Sequence, residues 1–210
     1  MKTVFLDLDG TLIDPKPGIT GSVQSTLERL GLPVPSADEL EWVIGPPLLS
    51  SFKKLGVPDP QAALEIYREF YGAGGMFEAK LYPGIMQALH RLANEGLTLC
   101  LATAKARNFA CEITHRFDLT RFFAHQFGAE LDGTRSNKAD LLAYALPIVG
   151  ADPGNSLMIG DRDLDIESAR ANHMASIWCG WGYGPNEGEA ATARAATPAE
   201  MAQLALDMLA

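Results

Sequence analysis

A small set of polar residues stands where predicted strands end or where a predicted helix begins. They are Asp7, Asp9, Thr103, Lys138, Asp161 and Asp165. In open α/β sheets, ligands bind at the carboxyl ends of the parallel strands. Several carboxylates would therefore meet a hydroxyl and an ammonium group at one edge of the sheet. We expect a polar site at that edge.

Crowded carboxylates cannot all stay ionised alone, because like charges raise one another's pKa. A divalent cation resolves this conflict, and Mg²⁺ typically takes one or two carboxylates, several waters and a substrate phosphate. A carboxylate held against the phosphorus, here Asp7, can attack it and form an aspartyl-phosphate that water hydrolyses. Asp9 can protonate the leaving oxygen and then activate the water. These residues predict a Mg²⁺-dependent hydrolase of phosphate monoesters.

The phosphate oxygens also need hydrogen-bond donors. Free backbone N–H groups near Gly10 and beyond Thr103 would cradle them, and the Thr103 hydroxyl and Lys138 ammonium would add further bonds. Lys105 and Arg135 are nearby alternatives to Lys138 as the cation. We therefore predict phosphate binding by Gly10, Thr103 and Lys138.

Short apolar runs predict the strands that position this site. The first, at 4–8, is apolar on both faces, as in a central parallel strand. Further strands are predicted at 97–103, 124–127, 156–159 and 175–179. Helical patterns lie at 85–94, 106–117, 138–149, 165–172 and 198–209. This alternation predicts an α/β fold with a doubly wound parallel-sheet (Rossmann-like) core. Surface loops are predicted at 190–196 and, at the rim of the site, at 180–184.

Residues 15–83 interrupt this alternation because they contain no predicted strand. Apolar residues at helical spacing, followed by Gly31, predict a helix at 19–30. Further helices are predicted at 40–44, 48–55 and 61–71. We therefore expect an all-helical cap domain at 15–83, inserted into a catalytic core made of 1–14 and 84–210, with glycine-containing joints.

The chemistry-bearing residues also match the motifs of a known family. Asp7-Leu-Asp9-Gly-Thr-Leu resembles the first motif of the haloacid dehalogenase-like (HAD) superfamily of phosphatases. Thr103 resembles the second motif and Lys138 the third, while Gly-Asp161-Arg-Asp-Leu-Asp resembles the fourth. The motifs occur in the family's order, and the match covers almost the whole chain.

This resemblance implies a role for each acidic residue. Asp7 would be the nucleophile and Asp9 the general acid and base. Mg²⁺ would be bound by Asp7, Asp161 and the Asp9 carbonyl, while Asp165 would support the metal's water shell or Lys138. The resemblance also implies that the helical insertion is a mobile cap of the phosphoglycolate phosphatase-like type.

Two short segments resemble a subgroup described as 5′-nucleotidases, namely 44–48 (Ile-Gly-Pro-Pro-Leu) and 160–162 (Gly-Asp-Arg). One departure concerns the second motif, where relatives commonly carry Thr/Ser-Asn/Ser-Lys-Pro and this chain carries Thr103-Ala-Lys105-Ala106. The hydroxyl and the lysine are kept, so phosphate binding is expected to survive. Phosphoglycolate, nucleoside 5′-monophosphates and small sugar phosphates all remain candidate substrates.

Composition narrows the range of partners. The formal charge of −9 argues against a nucleic-acid polymer or an anionic membrane as the main partner, which leaves a small-molecule phosphate ester. The apolar run at the N-terminus is cut by Asp7 and is too short for a signal peptide, and the cysteines form no CxxC pair. We expect a cytoplasmic protein, and oligomeric state stays open.

Other chemistries fit the residues less well. No cysteine has an arginine at the spacing of cysteine phosphatases, and the histidines lack metal-ligand spacing. A phosphosugar mutase of the same superfamily would keep both Asp7 and Asp9. A phosphoryl-accepting regulatory module would also combine an acidic cluster with a threonine and a lysine, but Asp9 favours rapid turnover. A haloacid dehalogenase would usually lack Asp9.

Overall fold

A computed structural model describes all 210 residues. Its centre is a six-stranded sheet in the order β5-β4-β1-β6-β7-β8, with every neighbouring pair parallel. These strands are β1 Thr3–Leu6, β4 Thr98–Ala106, β5 Phe123–Ala129, β6 Ser156–Gly160, β7 Ala175–Cys179 and β8 Ala193–Ala195. A two-stranded antiparallel pair, β2 Ile13–Asp14 and β3 Lys80–Leu81, lies apart from this sheet.

Helices cover both faces of the sheet. They are α1 Lys16–Arg29, α2 Leu48–Lys54, α3 Pro60–Ala73, α4 Ile85–Asn94, α5 Arg107–Arg116, α6 Lys138–Val149, α7 Asp163–Ala171 and α8 Pro198–Met208. Short 3-10 turns occur at Glu41–Val43, Gly75–Phe77, Thr120–Phe122 and Pro153–Asn155. The predicted doubly wound α/β core is confirmed. No helix is long and apolar enough to cross a bilayer.

Strand β1 is central because both of its faces are apolar. Val4 and Leu6 join the larger of two hydrophobic clusters, whereas Phe5 points to the opposite face and joins the smaller one. Successive side chains of a strand alternate between faces, so one short apolar run fills both layers. The loop after β1 is therefore anchored in the middle of the core.

The chain between β2 and β3 carries helices α1, α2 and α3, as the sequence predicts for the inserted segment. We call residues 15–79 the helical segment. The expectation of no strand in 15–83 is wrong in one detail, since Lys80–Leu81 forms β3. This strand pairs with β2, so the chain leaves and re-enters the sheet domain at adjacent points.

Two other expectations are corrected. The stretch 190–196 is not wholly a loop, because Ala193–Ala195 pairs with β7 as the edge strand β8. Strand β4 continues past Thr103 to Ala106, with a register shift between these two residues. Such a shift re-aims side chains, which places Lys105 within an irregular strand end rather than in a free loop.

Candidate active site

The predicted site residues gather at one edge of the sheet. Asp7 directly follows β1, and Asp161 directly follows the neighbouring strand β6. Lys138 is the first residue of α6, whose N-cap is the Asn137 side chain. Asp165 lies in the first turn of α7. Parallel strands bring their carboxyl ends together, so distant residues become neighbours.

Lys138 joins two of the aspartates. Its Nζ lies 2.9 Å from Asp7 Oδ1 and also hydrogen-bonds Asp165 Oδ1, with all three side chains buried. Burial alone would lower the pKa of Lys138, but the attraction of Asp165 and Asp7 outweighs it and raises that pKa. Lys138 therefore remains a permanent cation between two carboxylates. Asp165 Oδ2 accepts a bond from the Arg162 backbone N at 3.1 Å, so both of its oxygens are engaged.

Asp161 is held from three sides. Its Oδ2 accepts a hydrogen bond from Tyr183 N at 2.7 Å, its Oδ1 accepts one from Thr11 Oγ1 at 3.3 Å, and its carbonyl accepts one from Trp178 Nε1 at 2.8 Å. Burial, with the neighbouring charges of Asp165 and Asp7, raises the pKa of Asp161 to about 8. The carboxyl is therefore held in place but is poorly stabilised as an anion by protein groups.

Asp9 has a different partner. Lys105 Nζ lies 2.9 Å from Asp9 Oδ2, while Asp9 Oδ1 is buried and meets no donor. Burial raises the pKa of Asp9, and the Lys105 ammonium partly opposes this. The sequence left direct phosphate contact by Lys105 open, and the structure brings this lysine to Asp9 instead.

Gly10 and Thr103, both predicted to bind phosphate, lie beside the carboxylates of the site. Gly10 has φ +79, and a Cβ there would stand 2.2 Å from Asp161 Oδ2, so only glycine fits beside the cluster. The Gly10 amide itself is not free, because it donates to Ile13 O at 2.9 Å. Thr103 is buried, and its Oγ1 accepts from Lys105 N at 3.3 Å, so the hydroxyl proton can still donate elsewhere.

The loop 180–184 packs against the acidic cluster, through Tyr183 N and Gly182. It lies at the rim of the site as predicted, with Trp181 Nε1 donating to Thr11 O at 3.0 Å. Gly182 lies so close that a Cβ would stand 2.4 Å from Gly10 O. The alternating glycines were the available signal, since close backbone approach requires glycine. Nothing in the sequence paired Tyr183 with Asp161.

Three carboxylates of the cluster lie close enough together to hold a metal ion. Carboxylate oxygens of Asp7, Asp161 and Asp165 all lie within 4.8 Å of one another. Asp7 Oδ1, although near Lys138, has no hydrogen-bond donor in suitable geometry. With Asp9 and Lys105 included, two negative charges remain when every group is ionised. Asp165 and Asp161 each accept hydrogen bonds on both oxygens, whereas Asp7 Oδ1 has no donor, so Asp7 is the carboxylate most open to a metal.

A cavity of about 600 Å³ opens between the helical segment and the sheet domain. Its lining includes Asp7, Asp9, Lys105 and Lys138. Its apolar lining includes Leu48, Leu49, Leu64, Leu131 and Leu164. The volume lies in the range of small-ligand sites, about 300–1,000 Å³. An anionic end of a ligand could therefore reach the lysines while an apolar end contacts leucines.

Residues 4–179 match the family model described as haloacid dehalogenase-like hydrolase. The chain belongs to this family. It is 42% identical to a 5′-nucleotidase of Pseudomonas aeruginosa over 88% of this chain and 85% of that protein. It is also 29% identical to a phosphoglycolate phosphatase of Pseudomonas syringae, over 87% of this chain and 70% of that one. The chain is thus a hydrolase of the phosphoric monoester class.

Two further comparisons support the same family. The tyrosine-protein kinase PtkA of Mycobacterium tuberculosis is 36% identical over 86% of this HAD-like chain, which spans 62% of that protein. A crystal structure described as a predicted phosphatase from Clostridium acetobutylicum superposes with a TM-score of 0.91 at 34% identity, covering 98% of both chains. The Rossmann-like core and its helical insertion are therefore shared with solved HAD-like structures.

Proposed function

We propose that this HAD-like hydrolase is a Mg²⁺-dependent phosphatase that cleaves small phosphate monoesters through an aspartyl-phosphate on Asp7. The observation that carries the proposal is the buried cluster of Asp7, Asp161 and Asp165. Lys138 pairs with Asp7 and Asp165, and the cluster keeps an excess of negative charge. A bound Mg²⁺, held by Asp7, Asp161 and the Asp9 carbonyl, would neutralise phosphate charge and orient the ester.

Each residue has a separate task in this mechanism. An Asp7 oxygen forms the new bond to phosphorus while the bond from phosphorus to the leaving oxygen breaks, and Asp9 delivers a proton to that oxygen. Asp9 then takes a proton from the water that hydrolyses the aspartyl-phosphate. Lys138 and the Thr103 hydroxyl bind phosphate oxygens, and Asp165 fixes Lys138 through their hydrogen bond. Gly10 lets the backbone lie close to Asp161, and its own amide is not offered to phosphate because it bonds Ile13 O.

We propose that residues 15–83 act as a mobile cap on a core of 1–14 and 84–210. Arg162 supports this division, since its Nη1 donates to Ile44 O on the helical segment while its Nε bonds Glu187 on the sheet domain. Closure of such a cap would exclude bulk water from the reaction. Free, buried Cys100 and Cys179 are consistent with a cytoplasmic location, which we also propose.

Among the candidate substrates, we propose nucleoside 5′-monophosphates over phosphoglycolate. Leu131 and Leu164 are 48% and 41% exposed and both line the cavity, where a base could cover them. Every basic residue that lines the cavity already has a partner; these residues are Arg68, Lys105, Lys138 and Arg162. A carboxylate on the leaving group, as in phosphoglycolate, would find only one lining cation without a carboxylate partner, Arg68, whose guanidinium donates to the Leu131 carbonyl.

The first test measures phosphate release from a panel of esters with Mg²⁺ and with excess EDTA. The panel spans nucleoside 5′-monophosphates, phosphoglycolate, sugar phosphates and an aryl phosphate. We expect release only with Mg²⁺ and the highest kcat/KM on nucleotides. A preference for phosphoglycolate would contradict the substrate proposal alone. Absence of release from every ester would favour a mutase or a phosphoryl-accepting regulatory module.

The second test addresses the two proposed reacting carboxylates. Asp7→Asn should abolish phosphate release while the unfolding temperature shows that the fold is kept, because an amide oxygen is a poor nucleophile. Asp9→Asn should slow both formation and hydrolysis of the aspartyl-phosphate. Near-wild-type turnover in Asp7→Asn would remove Asp7 as nucleophile.

A further inference from the structure

Three side-chain hydrogen bonds span the cleft between the helical segment and the sheet domain. The pairs are Arg68 with Leu131, Arg162 with Ile44, and Tyr71 with Lys105. In the first two pairs the side chain bonds a backbone carbonyl away from the proposed reacting groups. The third pair differs, because Lys105 Nζ donates to Tyr71 Oη at 2.6 Å and also lies 2.9 Å from Asp9 Oδ2.

Tyr71 is fixed in the helical segment before it reaches Lys105. It belongs to α3, is 2% exposed, and stacks on Tyr67 with ring centroids 5.2 Å apart. Across the cleft, its ring packs edge to face with Phe109 of α5, with 5.4 Å between the ring centroids. Lys105 Nζ lies 4.5 Å from the centroid of the Tyr71 ring, in addition to its bond with the hydroxyl. The ring and the hydroxyl thus both hold the ammonium.

Lys105 in turn is the cation that faces Asp9. The side chains of Lys105 and Asp9 are 7% and 9% exposed, so little water is available to replace either partner. Asp9 Oδ1 has no donor of its own, which leaves the contact with Lys105 to fix the orientation of this carboxyl. The Lys105 ammonium is therefore held between the Asp9 carboxylate and the Tyr71 hydroxyl.

We propose that Tyr71 is a positioning residue that couples closure of the helical segment to protonation of the leaving group. With the segment against the sheet domain, Tyr71 holds Lys105, and Lys105 aims Asp9 towards the leaving oxygen. If the segment moves away, Tyr71 leaves with α3 and Lys105 loses both contacts. This inference rests on the proposed function, in which Asp9 donates a proton as the bond from phosphorus to the leaving oxygen breaks.

The test uses Tyr71→Phe, which removes the hydroxyl but keeps the ring that stacks on Tyr67. An alkyl phosphate needs its leaving oxygen protonated, whereas a nitrophenyl phosphate releases a stable phenolate without help. We therefore expect kcat/KM to fall about tenfold for alkyl esters and less than about twofold for the nitrophenyl ester, a loss typical of a hydrogen bond to a charged group. Equal losses for both esters, or none, would overturn the inference.

Two controls separate this role from simple destabilisation. Tyr144→Phe removes a hydroxyl from a residue that is 45% exposed and lies outside the cavity, so kcat/KM should not change. In a Lys105→Met background, adding Tyr71→Phe should cause no further loss on alkyl esters, because Tyr71 acts through Lys105. A clear additional loss would contradict that route.

Asp9→Asn, measured on the same esters, distinguishes failure of the inference from failure of the proposed function. A larger loss on alkyl than on nitrophenyl esters is expected for this variant too. If Asp9→Asn lacks that pattern, the result contradicts both the acid role of Asp9 and the inference about Tyr71. If Asp9→Asn has the pattern and Tyr71→Phe lacks it, only the role of Tyr71 is overturned.

Discussion

Gly182 determines whether the loop 180–184 can lie against the acidic cluster. A Cβ at this position would stand 2.3 Å from Asp161 Cβ and 2.4 Å from Gly10 O. Non-bonded carbons are stable at about 3.5–4.0 Å, so Gly182→Ala must push the loop away by about 1 Å. The hydrogen bond from Tyr183 N to Asp161 Oδ2, now 2.7 Å, would then exceed the usual limit of about 3.2 Å.

The cost of this change follows from two effects. Overpacking a tight site costs about 1–3 kcal/mol, and a lost hydrogen bond to a carboxylate costs about 1.5–3 kcal/mol. Because the loop relaxes, the two do not add fully, and we expect about 2–4 kcal/mol in the free energy of unfolding. For a chain of this size, each kcal/mol lowers Tm by about 2–4 °C, so the expected fall is roughly 5–15 °C.

Thermal unfolding and phosphate release, each measured across a Mg²⁺ titration, test this prediction. Gly182→Ala should lower Tm and require more Mg²⁺ for half-maximal rate, since Asp161 loses a donor that orients it. The matched control is Gly21→Ala in α1, where a Cβ meets no atom within 4 Å. That change should leave the rate unaltered and stabilise the helix by about 0.5–1 kcal/mol. A Gly182→Ala protein with wild-type Tm and Mg²⁺ dependence would refute the reasoning.

Three further predictions concern the charges of the site. Lys138→Met leaves Asp7 and Asp165 buried without their cation, so unfolding free energy should fall by about 3–5 kcal/mol, and added Mg²⁺ should recover part of it; an unchanged urea midpoint would contradict this. Burial and neighbouring carboxylates raise the pKa of Asp161 from an ordinary 3.8 to about 8, so between these values the folded protein keeps a proton that the unfolded chain has lost. With EDTA present, the Asp161 carboxyl should therefore make Tm fall as pH rises from about 5 to 8. MgCl₂ should raise Tm more at pH 8 than at pH 5.5, because the cation competes with the Asp161 proton. Equal increases in Tm at both pH values would argue against Asp161 as a metal ligand. Arg162→Ala removes the bond to Ile44 O, so KM for the best ester should rise about tenfold, and an unchanged KM would show that the helical segment closes without it.

The sequence predicted the sheet well where strands are buried. The run 175–179 became β7 with the same bounds, and 156–159 became β6 with one added residue. Both strands are central, so continuous apolar residues report their burial directly. The edge strand Ala193–Ala195 could not be predicted, since alanine has low strand propensity and the pairing depends on β7.

The sequence predicted which residues gather at the site better than it predicted which of them contact one another. Motif spacing placed Asp7, Asp161 and Lys138 together because parallel strands end at one edge. The contact between Tyr71 and Lys105 joins residues that are far apart in the chain, and it depends on how the helical segment lies against the sheet domain. No local pattern encodes such a contact. The Gly10 amide is not free because a tight turn brings the chain back, so that this amide donates to Ile13 O.

The small β2–β3 pair has an evolutionary consequence. Its antiparallel register sets Ile13 opposite Leu81 and Asp14 opposite Lys80, and such partners lie only about 5 Å apart. A connection this narrow could be closed by a two-residue hairpin turn. A change in the segment beyond the β2–β3 pair would leave the parallel sheet almost unaltered. Inserts of very different size and shape could be exchanged there by recombination, so the selectivity of such a hydrolase could change while its reacting carboxylates stay in place.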